Sequence, residues 1–141
     1  MHVGCWIGHG DGAVLEAVDL VRELAHQYQL RELVFDPWRF GQAAAELDRE
    51  RVPVLAFPQT DARMIPASDR LYRAIVEQRL TLPADPEFRA HASAAVAKHS
   101  RRGWRIDKTN RADNIDAIIA LAMALERAEH EVPAVQLLGW L

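Results

Sequence analysis

Cysteine occurs once in the chain, at position 5, so an internal disulfide framework is excluded and a reducing compartment is expected. No apolar run approaches the ~18 residues of a membrane span. Met1-His2-Val3-Gly4-Cys5-Trp6 has neither the basic start nor the apolar core of a secretory leader. A cytoplasmic protein without membrane association is therefore expected. Basic residues are not in excess. The 17 Lys and Arg face 20 Asp and Glu, a net charge of −3, which excludes a uniformly basic nucleic-acid binder. Phosphate-loop patterns of the form G-x-x-x-x-G-K-[ST], internal repeats and low-complexity linkers are also missing. His2, Cys5 and His9 do not have the spacing of a tetrahedral zinc framework, and no second cysteine exists to complete one.

What is present suits one α/β domain over residues 1–141. The chain is 50% hydrophobic and 26% charged, ordinary for a globular protein. Residues 2–7 read as a short strand weakened by Gly4. Residues 13–28 read as an amphipathic helix, with Val14, Val18, Val21, Leu24, Ala25 and Tyr28 at three- and four-residue spacing. Leu33-Val34-Phe35 reads as a buried strand, Phe40 to Glu50 as a helix, and Val52 to Phe57 as a strand that Pro53 confines to an edge or a start. Pro58 and Pro66 bracket a polar connection, after which Ser68 is placed to cap a helix from Asp69 to about Gln78. Alanine-rich residues 87–98 read as a helix, and Gly103 to Lys108 as a strand. Residues 113–129 make the strongest helix, with Ile115, Ile118, Ile119, Ala122 and Leu125 as its buried stripe. The tail at 133–141 is apolar enough to pack. Strands alternating with helices define the class.

Two features carry chemistry. Asp36 ends the strand Leu33–Phe35, and Asp113 and Asp116 open the last helix, roughly 60° apart around its axis. A carboxylate at a strand end can meet carboxylates at a helix start, and hard oxygens converging there are what Mg²⁺ or Mn²⁺ needs. Each acid also has a purely structural reading. Asp113 suits an N-cap, Asp116 complements the helix dipole, and Asp36 suits a turn with Pro37. The second feature is a local basic stretch, Lys98, Arg101, Arg102, Arg105, Lys108 and Arg111, opposed there only by Asp107. Arg101, Arg102 and Arg105 can track a nucleic-acid backbone with Trp104 as a stacking or packing surface, and Lys108 is placed for a phosphate near the acids. The plainer reading is a solvated hairpin tip with Trp104 turned inward.

A competing motif lies near the start. Gly8-His9-Gly10-Asp11-Gly12-Ala13 matches G-x-G-x-x-G/A between a possible strand and a helix, and Asp36 follows about 23 residues later, where Rossmann-like dinucleotide-binding folds place a ribose-binding acid. The plainer reading is a flexible turn.

From Met1 to about Ala128 the sequence resembles the C-terminal nuclease domain of the large terminase subunit of tailed bacteriophages. The resemblance is carried by Val34-Phe35-Asp36-Pro37-Trp38, by Phe57-Pro58-Gln59 with Met64 beyond it, and by Leu71 to Leu80. His91, Gly103, Ile106 and Lys108 continue it, and Asn114-Ile115-Asp116-Ala117-Ile118-Ile119-Ala120-Leu121-Ala122-Met123-Ala124 closes it. It implies an RNase H-like mixed sheet flanked by helices, and two-metal endonuclease chemistry with Mg²⁺ or Mn²⁺ on double-stranded DNA during head packaging. Asp36 matches the family's central-strand acid, Asp116 the acid of its closing motif, and Asp113 an additional acid of some relatives. Other terminase or portal components would be partners, in the cytoplasm of a bacterial host. The family pattern also places a first acid on a strand upstream of Met1, which neither Asp11 nor Asp19 replaces, and an ATPase before that. The chain is therefore expected to be a cloned segment or a truncated prophage remnant. Its site would be weakened, or would be a non-catalytic surface that only binds DNA or a partner. An open sheet edge would favour a homodimer.

Overall fold

The computed structural model describes residues 1–130; the apolar tail expected at 133–141 lies outside them. Helix α1 (Ala13–Gln27) is followed by strand β1 (Leu33–Phe35), helix α2 (Pro37–Arg49), strand β2 (Val54–Ala56) and helix α3 (Asp61–Val76). Helix α4 (Pro86–Ala94) leads into strands β3 (Ala95–Ser100) and β4 (Gly103–Lys108), and helix α5 (Asp116–Ala128) closes the order. The expected mix of parallel and antiparallel pairing is divided between two small sheets. β1 and β2 pair in parallel with Phe35 opposite Ala56, and β3 and β4 form an antiparallel hairpin with Ala95 opposite Lys108.

Two apolar clusters hold these pieces. The larger joins Met64, Ala67 and Leu71 of α3, Phe88 of α4, Ile106 of β4 and the Ile118–Leu125 face of α5. The smaller joins Val18 of α1, Ala43 and Leu47 of α2, and Val52. Val34 of β1 packs on the larger cluster and Leu33 on the smaller, so β1 is the seam between them. Alternate residues of a strand point to opposite faces, which is why one three-residue strand serves both.

Several elements depart from the sequence expectations. Residues 2–7 form no strand; only His2 bridges to Thr81, with Val3 N–H donating to Thr81 O at 3.0 Å. Ser68 does not cap a helix start. It lies fully buried in the middle of α3, which begins at Asp61 and runs through Pro66. Proline forfeits one helical hydrogen bond. The buried stripe Met64, Ala67, Ser68, Leu71 and Ala74 offsets that loss by packing against α5 and β4. Residues 95–98 are strand where a helix was expected. Pairing along the whole of β4 overrides the helical preference of alanine there. The hairpin turns at Arg101-Arg102, and Gly103 follows at φ +135°, where a side chain would be strained and its Cβ would meet Ile65 at 3.1 Å. The last helix begins at Asp116 with Ile115 as its N-cap, three residues later than expected.

Candidate active site at the ends of β1 and α5

Asp36 is fixed by two neighbours. As N-cap of α2 it accepts the Trp38 N–H on Oδ1 at 3.0 Å, with Pro37 at the first helical position. Its Oδ2 accepts from Nε2 of Gln59 at 2.8 Å. Gln59 arrives there because β1 and β2 are parallel and in register. Phe57 N–H donates to Phe35 O at 2.8 Å, so the loop leaving β2 emerges beside Asp36.

Asp116 is the exposed first residue of α5. It lines a cavity of about 250 Å³ together with Trp6, His9, Glu87, His91 and Asn114. The helix start has no side-chain cap of its own. Instead Nδ1 of buried His91, on α4, accepts the Ala117 N–H at 3.2 Å. His9 Nε2 and Glu87 face each other across the rim at 3.2 Å. Asp36 does not line this cavity.

An ion pair ties the residue before β1 to the last turn of α5. Arg127, in the last turn of α5, donates Nε to both carboxylate oxygens of Glu32 at 2.9 and 3.2 Å, and Nη2 to one of them at 3.0 Å. Glu32 in turn raises the Arg127 guanidinium above its ordinary value. Leu33 and Val34 line the same cleft as Ala120 and Ala124. β1 and α5 thus lie side by side. Asp36 follows Glu32 by four residues, and Asp116 precedes Arg127 by eleven.

Asp113 is placed otherwise. It lies outside α5 and caps nothing there; its Oδ2 accepts the backbone N–H of Asn110 at 3.0 Å and the Asn110 side-chain amide at 3.2 Å. Among the described residues, no three His, Cys, Asp or Glu side chains converge on one point. The donor chemistry of Asp36 and Asp116 nevertheless suits a hard cation. Magnesium commonly takes one or two carboxylates and completes its shell with water and substrate phosphate.

The basic residues divide into two groups. Arg101 and Arg102 are exposed at the hairpin tip, away from ion pairs among the described residues. Lys98 pairs with Asp107 at 2.8 Å. Arg105 is turned inward, donating Nη1 to Gln59 O at 3.1 Å and to Asp61 at 3.2 Å. Lys108 Nζ closes the following loop on the carbonyls of Arg111 and Asp113 at 2.8 and 3.1 Å. Trp104 packs edge-on against Tyr72, ring centroids 6.0 Å apart, as the plainer hairpin reading expects. The dinucleotide motif loses its context: α1 follows Gly12, but no strand precedes Gly8.

Sequence reasoning carried His91 and Gln59 only as parts of the family pattern, without a settled role, and missed the His9–Glu87 pair. The absence of Ser, Thr or Asn immediately before Asp116 was the one available signal, because the free N–H groups of an uncapped helix start need an acceptor from elsewhere.

Asp36 at the end of β1, Asp116 at the start of α5 and the partly basic hairpin are thus set in an α/β domain of five helices and two small sheets. Comparison with known proteins narrows that class. No family model matches the chain. The large terminase subunit of Enterobacteria phage HK97 is 27% identical over 115 residues, which span 79% of this chain and 23% of that protein. The crystal structure of the HK97 large terminase superposes with a TM-score of 0.68 at 25% identity, covering 81% of this chain and 24% of that one. The large terminase nuclease of thermophilic phage G20c gives 0.65 at 17% identity, over 89% and 66%. The same nuclease with bound magnesium gives 0.64 at 18%, over 81% and 61%. The chain resembles the nuclease domain of phage large terminases over most of its length, and its fold is RNase H-like. It spans about a quarter of the HK97 protein it matches.

Proposed function

We propose that this chain is the nuclease part of a phage or prophage large terminase, acting as a metal-dependent endonuclease on double-stranded DNA in a bacterial host. The observation that carries the reading is Asp36 at the end of β1 and Asp116 at the start of α5, with the Glu32–Arg127 ion pair tying that strand to that helix. Likeness to the HK97 large terminase, and to the G20c nuclease whose structure contains magnesium, supports it. Asp36 and Asp116 would hold Mg²⁺ or Mn²⁺, with Asp113 contributing only after releasing Asn110. When bound, such an ion lowers the pKa of water and neutralises charge developing on phosphate. Arg101 and Arg102 supply two exposed cations for the DNA backbone, whereas Arg105 and Lys108 hold neighbouring loops. Packaging components would be partners of the longer protein.

The test is nicking of supercoiled plasmid by the 141-residue chain in Mn²⁺ or Mg²⁺, with Asp36→Asn and Asp116→Asn alongside. Metal-dependent nicking lost in both variants is expected. Folded protein that binds DNA but does not nick it under any metal would favour the alternative, a non-catalytic DNA-binding surface.

A further inference from the structure

An N-cap needs only one carboxylate oxygen, and Trp38 N–H already occupies Oδ1 of Asp36. The second oxygen is nonetheless held, by a side chain 23 positions away on another loop. A carboxylate offers about four lone-pair sites. With one site on each oxygen taken from a different direction, the group cannot rotate, and its free lone pairs have a fixed aim. Gln59 itself is exposed, so burial does not hold it there. Its backbone carbonyl is tied to β4 by Arg105 Nη1, which also grips Asp61 at the start of α3. One guanidinium thus clamps the Gln59 loop from the hairpin side, and the loop orients Asp36.

We infer that Gln59 is a positioning residue for Asp36, aiming its free lone pairs at a divalent cation, and that Arg105 holds Gln59 in place. The inference rests on the metal-dependent reading above. It also accounts for an inward arginine in a stretch where a phosphate contact was expected. Outer partners that orient a ligating carboxylate commonly contribute ten- to a hundredfold in metal affinity.

The experiment is calorimetric titration of the intact chain with Mn²⁺, without DNA, for wild type, Gln59→Leu, Gln59→Ala, Arg105→Gln and Asp36→Asn. Thermal midpoints are measured on the same samples. Both Gln59 variants should raise the Mn²⁺ Kd about tenfold or more with an unchanged midpoint, because the side chain is exposed. Arg105→Gln should raise Kd by a smaller factor, since the Gln59 donor remains. If the Gln59 variants bind Mn²⁺ within twofold of wild type while Asp36→Asn loses binding, the role given to Gln59 is wrong and the metal site stands. If Asp36→Asn binds as wild type does, the metal reading falls and this inference falls with it.

Discussion

Single side chains in this protein do their work by tying one element to another. Ser68 is the plainest case. Fully buried in α3, its Oγ accepts the N–H of Ile106 at 3.0 Å, so the helix satisfies an outward-facing donor of β4. Ser68→Ala leaves that N–H buried without an acceptor, which costs about 1–3 kcal/mol. Urea unfolding should show a lower midpoint with an unchanged slope. A midpoint equal to that of wild type would mean that Ile106 finds another partner. Lys108 and Arg105 follow the same logic. Sequence alone showed two cations in a basic stretch, and nothing in their spacing revealed that carbonyls of nearby loops would claim them.

At the scale of elements, the β3–β4 hairpin carries an acid-sensitive contact. Lys98 beside it and the Lys108 N–H hold the Asp107 carboxyl below the ordinary aspartate range. A carboxyl whose value is lowered by folding contributes stability at pH above its unfolded value, and that contribution is lost as pH falls through the folded one. Wild type should therefore be more stable than Asp107→Asn at neutral pH, and the gap should close below about pH 4. Thermal melts at pH 7 and pH 3 check this; a gap as wide at pH 3 as at pH 7 would assign the difference to something other than the charge. The hairpin was also half legible. Alternation over Gly103–Lys108 identified β4, but β3 is alanine-rich, and only its pairing partner makes it a strand. Helical spacing made α1 and α5 legible as helices, but of the α1 set Val14, Leu24 and Tyr28 are exposed and Tyr28 lies just past the helix. The true start of α3 was hidden by Pro66, which the packed stripe of that helix tolerates.

For the whole molecule, the order of motifs from Asp36 to Asp116 pointed to a fold that local signals could not define. Its physical basis is the packing of β1 against α5, tied at Glu32 and Arg127, 95 residues apart in sequence. No local pattern encodes that pair. Asp113 shows the opposite failure: it has the right residue type and spacing, yet a loop closes on it before the helix begins. The account depends on Asp36 and Asp116 forming one site rather than two unrelated caps. The most direct measurement is paramagnetic broadening of backbone amide signals in the isotope-labelled chain by substoichiometric Mn²⁺. Signals from residues 36, 38, 39, 59 and 114–117 should broaden together at the lowest metal additions. Broadening confined to one of these segments, or centred elsewhere, would contradict a shared site.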